Sequence, residues 1–183
     1  LSSLGNIYYA RGDFARSLEQ YQRLRTLAEK HGSKLHIGVA LLNAAGIFER
    51  TSQIALALDY CRQAQPLFEQ LNNGEQLALL WQRFGDLYEA ENQPESALTA
   101  WQKALQYAQT NDNQKAQSEI YESLAGFYRQ QKQFSAAEEA LQQAIKFSQA
   151  ASLRVNLLGL NAERARLQFA RGDFAAALRT TEE

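Results

Sequence analysis

WQRFGDLY, residues 81–88, and ALTAWQKAL, residues 97–105, decide the fold. In the first stretch Trp81, Phe84, Gly85 and Tyr88 fall at i, i+3, i+4 and i+7, one face of an α-helix. In the second, Ala97, Leu98, Trp101, Ala104 and Leu105 repeat that spacing. Forty residues later the same slots hold Tyr121, Leu124-Ala125, Tyr128, Ala137, Leu141 and Ala144-Ile145. Forty earlier they hold Leu41, Ala44-Ala45, Phe48, Ala57-Leu58, Cys61 and Ala64, and before those Leu1, Leu4-Gly5, Tyr8, Ser17-Leu18, Tyr21 and Leu24. A further copy begins near Leu158, with Ala165, Phe174 and Ala177-Leu178 in register. The period runs without insertion or deletion.

Each period therefore reads as two amphipathic helices. Small residues such as Gly85 and Ala97 let two helix backbones approach, and the aromatics fill the gaps beside them. One hairpin cannot bury its apolar face alone, so neighbouring hairpins must stack. The expected organisation is a single array with units near 1–34, 35–74, 75–114, 115–154 and 155–183, the first and last incomplete. Ala, Leu, Gln, Glu and Arg dominate, prolines number 2 and glycines 10, and no long stretch alternates with period two. The fold class is all-α.

The pattern resembles the tetratricopeptide repeat family, whose units carry W-x₂-L-G-x₂-Y and then A-x₃-F-x₂-A. Here the match is W-x₂-F-G-x₂-Y at Trp81–Tyr88 and A-x₃-W-x₂-A at Ala97–Ala104. The resemblance implies a right-handed α-α superhelix, or solenoid, and a non-enzymatic scaffold that binds a peptide or protein segment in a concave groove. A regulatory sensor, controlling an attached domain through a signalling peptide or small ligand, is the alternative it leaves open. The common period is about 34 residues, so a period of forty lengthens both helices. It is similar in this to the long-repeat subgroup of kinesin light chains, polarity adaptors and many bacterial regulators. The last copy is degenerate, with Arg164 and Gln168 in slots that are otherwise apolar.

ARGDF occurs twice, at residues 10–14 and 170–174. The copies lie four periods apart, so both mark the turn inside a hairpin. Gly12 and Gly172 suit the left-handed residue that ends a helix, and Asp13 and Asp173 suit the cap of the next one. Arg11 and Arg171 are expected in the last helical turn, where a cation complements the dipole. Thr51-Ser52-Gln53, Glu91-Asn92-Gln93 and Gln131-Lys132-Gln133 fill the same turn elsewhere, and Lys132 fits it poorly. Pro94 suits a first helical turn. The Arg-Gly-Asp tripeptide is thus a turn signal, not an adhesive ligand.

The net charge of −1 and pI of about 6.2 offer no footprint for nucleic acid or an anionic membrane. No apolar run reaches the roughly 18 residues of a membrane helix. A single cysteine excludes an internal disulfide and fits a reducing compartment, so the expected location is cytoplasmic. The chain opens and closes inside helical patterns, which reads as a segment excised from a longer protein. Exposed apolar ends would then favour end-to-end stacking or a homo-oligomer.

Nothing in the sequence carries a catalytic motif, a cofactor loop or a metal-ligand spacing. His31 and His36 flank a turn and read as surface residues. Cys61 shares the slot of Tyr21, Trp101 and Leu141 and reads as a core thiol. Glu138 and Glu139 point about 100° apart on a helix and cannot work as an acid/base pair. Binding is instead expected on the first helix of each hairpin, opposite its packing slots. That face carries Asn6 and Tyr9, then Asn43 and Glu49, then Gln82, Arg83, Asp86 and Glu89, then Glu119, Glu122 and Arg129, and finally Arg166. Asn6 and Asn43 could pair with a ligand backbone and Arg83 with a carboxylate.

The family resemblance sharpens this. Chaperone-binding members hold a C-terminal carboxylate with two lysines, two asparagines and an arginine. Asn6, Asn43 and Arg83 match three of those places, but Ser2 and Leu79 replace the lysines, which speaks against a chaperone-tail ligand. The acids near Asp86, Glu89, Glu119 and Glu122 instead suit a partner segment with one or two basic residues.

Overall fold

The computed structural model describes residues 1–182, and for the side chains residues 1–153 and 156–180. The described residues form ten helices: α1 Ser2–Ala10, α2 Phe14–Lys30, α3 Lys34–Arg50, α4 Ile54–Gln70, α5 Gly74–Ala90, α6 Pro94–Thr110, α7 Gln114–Gln130, α8 Phe134–Ala150, α9 Arg154–Ala170 and α10 Phe174–Glu182. Helices α2 through α9 are each 17 residues long. Three-residue turns separate them, so the forty-residue period is two helix-plus-turn halves of equal length.

Every turn has the same construction. In the first, the amide of Gly12 donates to the carbonyl of Tyr9 and that of Asp13 to the carbonyl of Tyr8, the paired bonds of a Schellman motif. The same two bonds recur at the other turns, down to Gly172 to Phe169 and Asp173 to Gln168. The middle residue is left-handed each time: Gly12, Gly32 and Gly172, but also Ser52, Asn72, Asn92, Asp112, Lys132 and Ser152. Helices α1 and α9 end at Ala10 and Ala170, so Arg11 and Arg171 are C-caps, one residue beyond the last-turn position expected for them. Asp13, Asn73, Asn113 and Asp173 cap the following helix through a side-chain oxygen, accepting from the amides of Arg16, Gln76, Ala116 and Ala176.

Lys132 adopts φ 58° with a Cβ that this region penalises. Tertiary packing of α7 on α8 imposes the turn, and the sequence there supplies no favourable residue. Lys132→Gly should stabilise the fold by about 1 kcal/mol, read as a rise of roughly 2–4 °C in thermal midpoint. An unchanged or lowered midpoint would refute the strain.

The chain folds as two compact units, Leu1–Ala100 and the residues from Trp101 onward. In the first, α1 packs on α2 and α3 on α4, while α3 also covers α2 and α5 covers α4 and touches α3. In the second, α7 packs on α8 and α9 on α10, with α9 covering α8 and touching α7. The repeated core slot holds Tyr21, Cys61, Trp101 and Leu141, all buried. Burial pushes the Cys61 thiol up to about 12, so it is protonated and inert at neutral pH.

Close approach between helices needs glycine at two places. A Cβ on Gly5 would lie 2.5 Å from the Tyr21 ring, and one on Gly38 would lie 2.5 Å from the Phe68 ring. Buried hydroxyls are satisfied: Ser17 donates to the carbonyl of Gly5 (2.8 Å) and Ser118 to that of Ala144 (2.9 Å). Pro66 stands inside α4 and cannot donate to the carbonyl of Arg62. It lies on the exposed side, where water can take over that carbonyl.

Candidate peptide-binding face

The first helices of adjacent hairpins, α3 with α5 and α7 with α9, run side by side within their units. Across α3 and α5, Arg83 Nη1 donates to Glu49 Oε2 in an ion pair whose side chains are 30% and 27% exposed. The guanidinium lies over Gly46, where a Cβ would come within 3.3 Å of it. Asp86, one turn along α5, adds its negative charge to that of Glu49. Burial works against the Arg83 charge, but Glu49 and its other neighbours outweigh it and hold its pKa above the ordinary value.

Two periods further on the same construction appears with every charge inverted. Arg129 Nε donates to Glu163 Oε1 (2.6 Å), and Arg166 Nη1 donates to Glu163 Oε2 (3.1 Å). Glu163 is buried, and its carboxylate rests over Gly126 at 3.7 Å from a built Cβ. Each pair spans 34 residues. Glu49–Arg83–Asp86 and Arg129–Glu163–Arg166 are thus mirror images in charge, each seated on a glycine.

These triads absorb several residues expected to meet a ligand. Arg83 holds Glu49, and Arg129 and Arg166 share Glu163. Asn6 Oδ1 accepts from the hydroxyl of Tyr21 (2.6 Å), which holds it in place while leaving it exposed. Tyr9 packs edge-on against Phe14, ring centroids 5.8 Å apart. Asn43, Gln82, Asp86 and Glu89 are half-buried on the same face. His36 Nδ1 is hydrogen-bonded to Ser33 Oγ (2.8 Å), and the described residues contain no cluster that could hold a metal.

Glu119 and Glu122 differ from the triads. They lie one turn apart on α7, both half-buried. Burial pushes the Glu119 carboxyl above its ordinary range, and Lys115 at 3.7 Å offsets only part of this. Burial also raises Glu122, reinforced by Glu163 and Glu119 and countered only by Arg166. Gly159 leaves room for the Glu122 carboxylate, which sits 3.4 Å from where a Cβ would be.

The sign of the resulting pH dependence follows from the direction of the shift. Folded Glu122 keeps its proton at pH values where the unfolded chain has released it. Its ionisation therefore costs stability, and the cost sets in as pH rises from the ordinary value of 4.5 through the folded pKa. Glu122→Gln should unfold at higher urea than the wild type at pH 7, with the gap closing as pH falls toward 4.5. A gap independent of pH would refute the assignment.

Sequence reasoning missed Glu163 and the seating role of Gly46, Gly126 and Gly159. A signal was present: opposite charges 34 residues apart, each acceptor or donor three residues after a glycine, in two copies two periods apart. Hydrophobic periodicity does not register it, because these slots lie off the apolar stripe.

The repeat architecture and its three-residue turns have a counterpart among known sequences. The profile of the MalT-like TPR region matches residues 1–183. The chain belongs to the MalT-like tetratricopeptide repeat family. No curated protein matches it in sequence. Among solved structures, BtubC (BKLC) from P. vanneervenii superposes with a TM-score of 0.79 at 16% identity, covering 99% of this chain and 75% of that one. Aspartyl phosphate phosphatase F from Bacillus subtilis gives 0.81 at 12% identity, covering 98% of this chain, which spans 56% of the phosphatase. TPR-like repeats of a Podosopora anserina protein described as a kinesin light chain give 0.67 at 19%, covering 99% and 90%. At these identities the likeness is one of fold: the MalT-like chain is an α-α hairpin repeat protein, a fold that commonly mediates protein–protein interaction. Among the described residues no helix is long and apolar enough to cross a membrane.

Proposed function

We propose that the MalT-like chain is a non-enzymatic interaction module, a single domain of tetratricopeptide-type hairpins, that holds a peptide or protein segment against the first helices of its hairpins in the cytoplasm. The observation that carries the proposal is the Glu119–Glu122 pair, two half-buried carboxylates on one helix face with raised pKa values and too little cationic compensation. A basic side chain of a partner, placed between them, would relieve that deficit and lower both pKa values. The triads serve a different end. By pairing among themselves they lock neighbouring first helices and leave the face preformed, which lowers the ordering cost of binding. Within the first unit, Asn43, Gln82 and Tyr9 supply amide and phenol groups for a ligand backbone, and Asp86 and Glu89 add acidic groups there.

Panning a displayed random-peptide library on the array tests this. Enriched peptides should share a Lys or Arg, and each should lose at least about tenfold in affinity on Glu119→Gln/Glu122→Gln, the equivalent of about 1.4 kcal/mol. Retention of affinity by the double variant would remove these residues from the site.

A further inference from the structure

The first hairpin shows how one side of an α-α pair seats cations. Arg16 of α2 places its guanidinium over the ring of Tyr8 on α1, 5.4 Å from the centroid. Two turns along α2, Arg23 Nη2 pairs with Glu19 (2.8 Å). Three periods later, in the hairpin of α7 and α8, the register keeps both acceptors and removes both cations. Tyr128 and Glu139 stand for Tyr8 and Glu19, but Ala136 and Gln143 stand for Arg16 and Arg23. What remains is a cavity of about 620 Å³, floored by Leu124 and Ala140 and flanked by Tyr121 and Tyr128, with Glu139 at its rim. Both rings are held: Tyr121 stacks on Phe147 (centroids 5.8 Å, planes 6° apart), and Tyr128 meets Phe127 edge-on (5.6 Å). Glu139 is exposed and has no ion pair among the described residues, since Arg171 pairs with Glu138 instead (3.9 Å). Lys146 is engaged elsewhere, its Nζ over the Phe147 ring at 5.7 Å. The second hairpin fills the same space from within: Tyr60 stands in the Ala140 slot, its ring 4.9 Å from Phe48, the counterpart of Tyr128.

We infer that this cavity binds an arginine side chain of a partner peptide segment. The guanidinium lies over the Tyr128 ring, as Arg16 lies over Tyr8, with the Glu139 carboxylate as its counter-ion. A cation is drawn to the face of a tyrosine ring, most strongly where water is partly excluded, and both tyrosines here are half-buried. Arginine suits the site better than lysine, because its planar guanidinium stacks on a ring while its edge N–H groups meet a carboxylate. An apolar occupant would cover Glu139 and leave it without a partner, at a cost. The volume exceeds what one guanidinium fills, and Gln142 and Gln143 line it with amides that can pair with the flanking backbone. The site is separate from the acidic one on the same helix. Glu119 and Glu122 lie about 160° and about 100° around α7 from Tyr121.

An NMR titration of the isotope-labelled protein with acetyl-Gly-Arg-Gly-amide tests this. Amide shifts should saturate around Tyr128, Ala136 and Glu139. Citrulline in place of arginine keeps the shape and removes the charge, and it should weaken binding at least about tenfold. Agmatine, which lacks a backbone, should bind more weakly than the peptide. Ala136→Arg recreates the first hairpin's own arrangement and should abolish binding while the helical circular-dichroism spectrum persists. Glu139→Gln, at an exposed site, should weaken binding about threefold. Glu119→Gln/Glu122→Gln should leave this titration unchanged, so failure of the acidic site and failure of this one are read apart. The absence of saturable shifts would overturn the inference, as would equal binding of the citrulline peptide or full binding by folded Ala136→Arg. Binding that survives Ala136→Arg and disappears in Glu119→Gln/Glu122→Gln would also overturn it, assigning the arginine to the other side of α7. Agmatine binding as tightly as the peptide would overturn the assignment to a peptide segment.

Discussion

Glu163→Arg should destabilise the second unit by about 3–5 kcal/mol, the range for leaving buried charge without its partner. Arginine there would face Arg129 and Arg166 at the distances now spanned by hydrogen bonds, with three cations gathered over Gly126. Adding Arg129→Glu and Arg166→Asp should recover most of the loss. The resulting set would reproduce Glu49, Arg83 and Asp86 of the first unit, where a glycine again seats the central residue. The molecule thus already contains the inverted arrangement as a working part. Urea unfolding of the wild type, the single variant and the triple variant reads the recovery directly. Failure of the triple variant to regain at least half of the loss would show that the two sites are not equivalent. Restoration by Arg129→Glu alone would show that Arg166 contributes nothing.

The all-α hairpin fold was legible because its determinants recur. Trp81, Phe84 and Tyr88 have apolar counterparts in the first, second and fourth copies, and a pattern met four times is hard to misread even though Arg164 and Gln168 break it in the fifth. The turn role of Gly12 and Gly172 was legible for the same reason. Lys132 and Ser52 were placed in the left-handed slot by register alone and not by residue type, because the Schellman bonds and the packing of the flanking helices impose that conformation against local preference. The binding face was only partly legible. Its positions could be placed by register, but whether Arg83 meets a ligand or Glu49 depends on a contact between helices that one strand of periodicity cannot display. Glu163 escaped because a single glutamate on a helix resembles a solvated one until Arg129 is brought over it.

The Gly38–Phe68 contact should behave as a coupled unit in the core of the first hairpin pair. Phe68 is fully buried, so Phe68→Ala should cost about 3–5 kcal/mol. Gly38→Ala gains up to about 1 kcal/mol of helix propensity, yet its Cβ would meet Cε1 of Phe68 at 2.5 Å. The ring is enclosed and cannot swing away, so overpacking should win and leave a net loss of about 1–2 kcal/mol. In the double variant the clash is gone and the added methyl occupies part of the vacated space. Its total loss should therefore fall below the sum of the single losses by about 1–2 kcal/mol. The fourth hairpin offers a natural precedent, since Ser118 and Ser148 occupy these slots and both are buried there. The repeat fills this position either with one large and one vanishing side chain or with two small ones. A double-mutant cycle measured by denaturant unfolding checks the coupling. Strict additivity would mean that α3 and α4 can move apart to admit the extra methyl, and the glycine would then have no packing role.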